Sequence, residues 1–258
     1  MGVLPRFRII LRGGALALLG AALAAMWLRP PQPRDSRTAV GAAEIPGGPF
    51  VALTFDDGPR ASTTSVLLDG LSQRGVRATF FVIGQNVEGN EELLLRMERE
   101  GHQIGLHTYH HKALVELNAA DFYAEVDKLR EALTDLLGQR DFMLRPPFGM
   151  INPSSRARAG APIILWSVDP EDWSDTDTQR QVSVILDNVT DGGIILLHDI
   201  YPSSVETALQ VVDALMAQGY RFVTVEELFA LRGQTPEDGT EYRCLPPTPD
   251  RPENRGSR

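Results

Sequence analysis

Between residues 49 and 231, short apolar runs of strand length alternate with stretches in which apolar residues recur at helical spacing. Strands that alternate with helices imply parallel pairing, and about seven such units favour a closed barrel over an open sheet. The sequence therefore predicts an α/β fold, a distorted (β/α) barrel with about seven parallel strands. The predicted strands cover residues 50–55, 77–82, 103–107, 142–145, 163–168, 194–198 and 221–223.

The clearest helical pattern covers residues 119–137, where apolar side chains recur at spacings of three and four. Glu125 and Lys128 are predicted to point outward from this helix. Its predicted buried face consists of Phe122, Val126, Leu129, Leu133, Leu136 and Leu137. A second helix is predicted to start at Asn90, because two acidic residues follow in its first turn.

Two end segments lie outside this alternation. Three arginines precede an uncharged run at residues 13–28, and Arg29 follows it, which is the layout of an export signal. A helix of 16 residues spans about 24 Å, less than the ~30 Å of a bilayer core. Residues 1–28 are therefore predicted to be a cleaved signal peptide, with an uncleaved membrane anchor as the alternative. Either alternative places the domain outside the cytoplasm: periplasmic, secreted, or anchored to the outer face of the inner membrane.

Residues 29–48 lack periodicity, and this absence predicts a flexible linker. Residues 232–258 are Pro-rich and charged, and this composition predicts a disordered tail. The remaining domain, residues 49–231, is long enough for one sizeable core. We expect it to be a monomer.

Charge is unevenly distributed along the chain. Residues 1–38 hold six arginines and one aspartate, which leaves 19 basic and 33 acidic residues in the rest of the sequence. A domain this acidic is not expected to bind nucleic acid nonspecifically. Cys244 is the only cysteine, so no internal disulfide can form.

Candidate chemistry begins at the end of the first predicted strand, where Asp56 and Asp57 are adjacent. Taken alone, their Asp-Asp-Gly-Pro segment is also ordinary turn chemistry. However, His107, His110 and His111 account for three of the five histidines in the chain. A hydrolytic metal site usually takes three protein ligands, which one Asp and two His would supply, and the second carboxylate could then act as a base. His107 and His111 would share one face of a helix, but His110 leaves the choice of pair open.

Further polar residues follow the other predicted strands. Catalytic residues in α/β barrels lie at the carboxyl ends of the strands. The residues that close a predicted strand are Asp56, His107, Arg145, Asp169 and His198. The sequence therefore predicts a site at this end of the barrel, although it assigns no role to Asp169.

Five short motifs occur in order along the domain. They are Thr54-Phe55-Asp56-Asp57, His107-Thr108 with His111, Arg145-Pro146-Pro147-Phe148-Gly149, Asp169 with Asp172-Trp173, and Leu196-Leu197-His198. In these motifs the chain resembles the polysaccharide deacetylases of carbohydrate esterase family 4, the NodB-homology group. The resemblance spans residues 49–231.

The resemblance implies a role for each motif residue. It assigns the metal to Asp57, His107 and His111, and the general base to Asp56. His198 would be the general acid, with Asp172 holding its imidazole, and Arg145 would orient Asp56. The substrate pocket would be lined by Phe148, Trp173 and Leu196, with the main-chain N–H near Phe148 facing the oxyanion. As alternatives, Arg145 could be a surface ion-pair partner, and Trp173 and Leu196 could be core residues.

The function implied is that of an exported, metal-dependent hydrolase that cleaves amide but not peptide bonds. Its substrate would be the N-acetyl groups of a polysaccharide that contains N-acetylglucosamine. Peptidoglycan is favoured because of the predicted location, and chitin-like oligomers remain open. The cofactor is a divalent metal, with Zn favoured and Co or Ni also suited to the ligands. The alternatives are an esterase of O-acetylated xylan with the same mechanism, and a glycan-binding module without turnover.

Overall fold

The computed structural model describes residues 48–247. The predicted signal or anchor at residues 1–28, most of the linker, and residues 248–258 lie outside this described part. Within residues 48–247, no helix is both long enough and apolar enough to span a membrane.

The strands form a parallel sheet whose central member is β1. Strand β1 pairs along its length with β5, while its first half also pairs with β6 and its second half with β2, which in turn pairs with β3. A separate parallel pair joins β4 to β7. The bounds are β1 Phe50–Asp56, β2 Thr79–Val82, β3 Gln103–Leu106, β4 Ile163–Ile164, β5 Gly193–His198, β6 Arg221–Val223 and β7 Glu241–Tyr242.

Single parallel bridges close the remaining side of the ring. Leu144 bridges Leu106 of β3 and Ile163 of β4, and Val168 bridges Ile195 of β5. The predicted distorted barrel is therefore confirmed, but residues 142–145 and most of residues 163–168 do not form the strands expected. Two reasons account for this difference. The two prolines after residue 145 have no N–H to donate to a neighbouring strand. The carbonyls of residues 145, 164 and 165 accept hydrogen bonds from site side chains and so do not pair with a strand.

Seven α-helices in the described chain pack around the barrel, and they separate most of the strands. The predicted helix at residues 119–137 is confirmed at both ends, and its N-cap Asn118 accepts a hydrogen bond from the amide of Asp121. The helix expected after Asn90 is also present. The bounds are α1 Ala61–Arg74, α2 Glu91–Arg99, α3 Ala119–Leu137, α4 Pro153–Arg158, α5 Thr178–Asn188, α6 Pro202–Ala217 and α7 Val225–Leu231.

The outward prediction for Glu125 on α3 is wrong. The residue is 3% exposed, whereas Lys128 is exposed as expected. Glu125 lies three residues after Phe122 and four before Leu129, so it belongs to the same buried stripe. Its carboxylate bonds residues of the loop after β3, which compensates for its burial.

The alternation of side chains along β1 separates the core from the site. Val51, Leu53 and Phe55 belong to the apolar layer that packs against the helices, where the rings of Phe55 and Phe80 stack 5.2 Å apart. Thr54 and Asp56 face the opposite way because side chains alternate across a strand. The barrel interior therefore receives polar groups from the carboxyl end of its central strand.

The described part of the predicted disordered tail is ordered, so that prediction is wrong for residues 233–247. Strand β7 pairs with β4, and Leu245 is buried in an apolar cluster with Val225 and Phe229. The amide of Leu245 donates to the carbonyl of Gly192. A few buried contacts anchor a polar, Pro-rich segment, and its composition does not reveal them.

We predict that Leu245→Ala lowers the free energy of unfolding by about 2–5 kcal/mol, because it leaves a cavity among Val225 and Phe229. Urea denaturation would measure the change. Met216→Ala is the control, since Met216 is 45% exposed on α6 and its truncation should cost less than about 1 kcal/mol. Equal, small effects of both changes would show that the segment contributes nothing to the fold.

Candidate metal centre and active site

Strand register brings the first two site residues together. Asp56 closes β1 and pairs directly with His198, which closes β5, and Thr54 pairs with Leu196 in the same ladder. Residues two apart in a strand share a face, so Thr54, Asp56, Leu196 and His198 all face the barrel interior. The register thus places Asp56 beside His198 at the carboxyl end of the barrel.

Asp57 leaves the strand with a left-handed backbone, at φ 73°. The side-chain amide of Asn86 donates to the main-chain carbonyl of Asp57 at 2.8 Å. Asn86 closes a short 3₁₀ turn, Gly84–Asn86, whose first amide also donates to the carbonyl of Thr108. This turn therefore links the loop that carries Asp57 to the loop after β3.

His107 and His111 lie near each other, but not on a helix as expected. The loop after β3 turns through left-handed residues at Thr108, with φ 64°, and His111, with φ 57°. This turn brings the two imidazole centroids to 5.0 Å. Left-handed non-glycine residues are costly, and they are found where surrounding contacts hold them, often at functional sites.

Asp57, His107 and His111 form a group suited to a metal ion. The Oδ1 atom of Asp57 lies 3.3 Å from the Nε2 atoms of both histidines, and the three ligand atoms all lie within 4.8 Å of one another. Nδ1 of His107 lies 2.8 Å from the carbonyl oxygen of Arg145 and donates to it, which leaves Nε2 as the ligand atom. Oδ1 of Asp57 is buried without a hydrogen-bond partner in the described residues. Two imidazoles and one orphaned carboxylate oxygen fit a divalent transition metal.

Arg145 is not a surface residue, since its side chain is 0% exposed. Its Nη1 donates to Asp56 Oδ1 and to Thr54 Oγ1, both at 2.8 Å, and its other nitrogens donate to the carbonyls of Ile164 and Leu165 at 3.1 Å. Burial lowers the pKa of Arg145, and the charge of Asp56 opposes this shift. The guanidinium fixes the direction of the Asp56 carboxylate.

His198 is held in its charged form by Asp172. Its Nδ1 donates to Asp172 Oδ1 at 2.7 Å, and its amide donates to Oδ2 of the same carboxylate at 2.8 Å. Burial alone would lower the pKa of His198, but the hydrogen bond and charge of Asp172 outweigh burial and raise it to about 9. At neutral pH the ring therefore carries a proton on Nε2 that it can donate.

The predicted pocket residues have different surroundings. Leu196 is buried inside the barrel, while Phe148 and Trp173 are 63% and 58% exposed. The ring of Phe148 contacts that of His111 at 4.7 Å between centroids, and Trp173 directly follows Asp172. Trp173 is therefore not a core residue, whereas Leu196 is buried and lies two residues before His198, on the same face of β5.

From the sequence, it was open whether His110 is a metal ligand, and Glu125 was not identified as a contact of this loop. The Glu125 carboxylate accepts from the His110 amide at 2.8 Å, from His110 Nδ1 at 2.9 Å and from Lys112 Nζ at 3.0 Å. Burial raises the pKa of Glu125, but these donors outweigh it and lower the pKa. His110 thus lies outside the group suited to the metal and anchors the loop that carries His111.

Asp199 is a second buried acid that the sequence did not single out. Its carboxylate accepts a hydrogen bond from Thr64 of α1, and burial raises its pKa to about 7. A Cβ atom at Gly58 would lie 2.3 Å from Asp199 Oδ1, so only glycine permits this close approach. Asp199 therefore packs the loop after β1 against the loop after β5.

Comparisons with known proteins agree with this arrangement. A family model described as polysaccharide deacetylase matches residues 43–161. The peptidoglycan-N-acetylmuramic acid deacetylase PdaC of Bacillus subtilis (strain 168) is 37% identical over 189 residues, which make up 73% of this chain and 40% of that protein. The chain thus spans about two fifths of this relative's length.

Two further relatives are matched over most of their length. A peptidoglycan-N-acetylglucosamine deacetylase of Bacillus cereus is 37% identical over 195 residues, which cover 72% of this chain and 91% of that protein. Among solved structures, a family 4 acetyl xylan esterase from Clostridium thermocellum in complex with cobalt is 29% identical with a TM-score of 0.73. That match covers 76% of this chain and 99% of the esterase.

We predict that Glu125→Ala weakens zinc binding about tenfold, because the loop that carries His111 loses its anchor on α3. Titration of the metal-free protein with zinc would measure the affinity. Glu131→Ala is the matched control, since Glu131 is exposed on the same helix. Unchanged affinity in a folded Glu125→Ala protein would contradict the anchoring role.

Proposed function

Because this chain belongs to the polysaccharide deacetylase family, we propose that it hydrolyses the N-acetyl groups of a polysaccharide containing N-acetylglucosamine. Peptidoglycan is the favoured polysaccharide, because two of the matched relatives are named for it. Chitin-like oligomers are the second choice.

The single observation that carries the proposal is the orphaned Oδ1 of Asp57, which faces Nε2 of both His107 and His111. These three residues would hold a divalent cation, with zinc favoured and cobalt or nickel also suited to the ligands. When bound, such a cation supplies Lewis acidity, which polarises a carbonyl and lowers the pKa of water toward neutrality.

We assign the role of the base to Asp56. Arg145 occupies its Oδ1, and its Oδ2 lies 3.6 Å from Nε2 of His107, so this second oxygen is next to the ligand group. A carboxylate oriented in this way can accept a proton from water as the water adds to the acetamide carbonyl carbon. Arg145 positions Asp56 and takes no proton itself.

We assign the role of the acid to His198. As the C–N bond breaks, Nε2 of His198 donates its proton to the amine nitrogen, so that acetate and a free amine leave. The main-chain N–H near Phe148 is assigned to the developing oxyanion, where such a donor typically contributes a few kcal/mol. Leu196 and Trp173 are assigned to the acetyl methyl group.

The location is part of the proposal. Residues 1–28 have the layout of an export signal or a membrane anchor, and a peptidoglycan substrate requires a domain outside the cytoplasm. We also propose that the domain acts as a monomer.

Hydrolysis of O-acetyl groups on xylan is a second candidate function. An ester presents the same carbonyl with an easier leaving group, and the likeness to an acetyl xylan esterase favours this candidate. A glycan-binding module without turnover is disfavoured, because base, ligands and acid are all present in this chain.

Acetate release tests the proposal on three substrates: peptidoglycan strands, chitin oligomers and acetylated xylan. We expect release from N-acetylated glycans, its loss with a chelator and its return with zinc. Release from xylan alone would support the esterase, and no chelator-sensitive release from any glycan would support the binding module.

Asp56→Asn should keep zinc, measured by elemental analysis, and lose most turnover, whereas His107→Ala should lose both. Loss of zinc in Asp56→Asn would reverse the two aspartate roles.

Asp172→Asn tests the acid. Without the Asp172 charge, burial lowers the pKa of His198 from about 9 toward or below its ordinary value of about 6.5. The alkaline limb of the kcat/KM profile should therefore move about two pH units lower. With nitrophenyl acetate, whose leaving group needs no proton, the limb should move less. Identical profiles for both proteins on the glycan would rule out His198 as the acid.

A further inference from the structure

A polar groove adjoins the proposed metal ligands. It encloses about 490 Å³ and is lined by Asp57 and His111 together with Arg60, Gln85, Asn86 and Ile200. When the acetamide of a glycan reaches the site, the neighbouring sugar units would contact this groove. The residues of this groove that take no part in the chemistry are therefore placed to choose between glycans.

Arg60 is held firmly at this groove. Its amide donates to Thr64 Oγ1 at 2.8 Å, and its carbonyl accepts from the amides of Thr63 and Thr64 at the start of α1. Its Nη1 donates to the carbonyl of Ile200 at 3.0 Å. Both the main chain and the guanidinium of Arg60 are thus fixed, although the side chain is exposed.

The guanidinium of Arg60 keeps its binding edge available. Within residues 48–247, no carboxylate forms an ion pair with Arg60, and Nη1 is the guanidinium nitrogen that has a protein acceptor. Nε and Nη2 remain, and these two nitrogens form the edge that receives a carboxylate through two parallel hydrogen bonds. Several other arginines in the described chain use such nitrogens on protein carboxylates, as Arg74 does on Asp213.

Arg60 is the exposed cation that an acidic substrate would meet in this groove. Asp56, Asp57 and Asp172 gather at the strand ends, and the guanidinium of Arg145 is fully buried against Asp56. Arg60 is the one guanidinium in the groove lining. Arg145, protonated His198 and the divalent cation proposed for the ligands balance these aspartates, so selection of a glycan carboxylate falls to a cation that faces it directly in the groove.

We propose that Arg60 is a specificity-determining residue that binds a carboxylate carried by the sugar unit next to the one being deacetylated. This inference rests on the proposed deacetylase function and narrows its substrate to an acidic glycan. Strands that alternate N-acetylglucosamine with N-acetylmuramic acid have this chemistry wherever a muramic unit carries no peptide, since its lactyl ether then ends in a free carboxylate. A chitin oligomer lacks the carboxylate.

The test compares three glycans that differ in charge: peptide-free alternating strands with free lactyl carboxylates, the same strands capped as methylamides, and a chitin pentamer. We expect the unaltered protein to show a kcat/KM about tenfold higher on the acidic than on the capped strands. Arg60→Gln should lose this preference while changing less than about twofold on the two neutral glycans. Raising the salt concentration should reduce the preference, because the ion pair is exposed.

Arg99→Gln is the matched control. Arg99 is exposed at the far end of α2, and its substitution removes the same charge as Arg60→Gln. It should change kcat/KM on none of the three glycans. An equal loss by Arg60→Gln on all three would show a general structural role, and no loss on any would show that Arg60 does not contact substrate. Either result overturns the inference.

Binding separates failure of this inference from failure of the proposed function. Calorimetry with the Asp56→Asn protein, with and without Arg60→Gln, would give dissociation constants for the same three glycans without turnover. Acidic strands should bind about tenfold more tightly than capped strands only when Arg60 is present. Equal binding would overturn the role of Arg60 even if deacetylation occurs, and absence of acetate release would overturn the function alone.

Discussion

The site depends on one buried cation, the guanidinium of Arg145. A fully buried charge is costly unless every donor is satisfied and an opposite charge lies nearby. Four of the five N–H donors of Arg145 bond Asp56, Thr54 and two main-chain carbonyls, and its own carbonyl accepts from His107. A single residue therefore sets the direction of the proposed base and the nitrogen that His107 presents. The same bonds use the carbonyls of residues 145, 164 and 165, and this side of the barrel is closed by single bridges instead of continuous strands.

Around this cation, the loops at the strand ends are held by each other. Asn86 supports the main chain of Asp57, Glu125 supports the loop of His111, and Asp199 packs against Gly58. Four of the five left-handed non-glycine residues in the described chain, Asp57, Thr108, His111 and Phe148, lie in these loops or contact them. Such conformations cost of order 1–3 kcal/mol each and persist because neighbouring contacts determine them. The contacts formed on folding thus hold the proposed metal ligands, Asp57, His107 and His111, in their geometry.

Local pattern was enough to predict the strands that are continuous and buried, such as β1 and β5, and the long helix α3. Motif residues at strand ends could also be predicted to converge, because parallel strands end at one face. The turn at residues 107–111 could not be predicted, since its left-handed residues depend on contacts with distant loops. The burial of Glu125 was readable from its spacing to Phe122 and Leu129, but its charge argued against it, and its partners come from another loop. Residues 233–247 are ordered by few contacts, which composition does not encode.

The two ends of the described chain emerge together on the side of the barrel away from the aspartates. Residue 48 leads into the amino end of β1, and Cys244 bridges Gly193 at the amino end of β5. Residue 48 and Cys244 therefore lie at the opposite end of the barrel from Asp56 and His198, which close β1 and β5. Changes to the chain close to residue 48 or Cys244 are thus remote from the proposed ligands, and the carboxyl ends of the strands are left free of both segments.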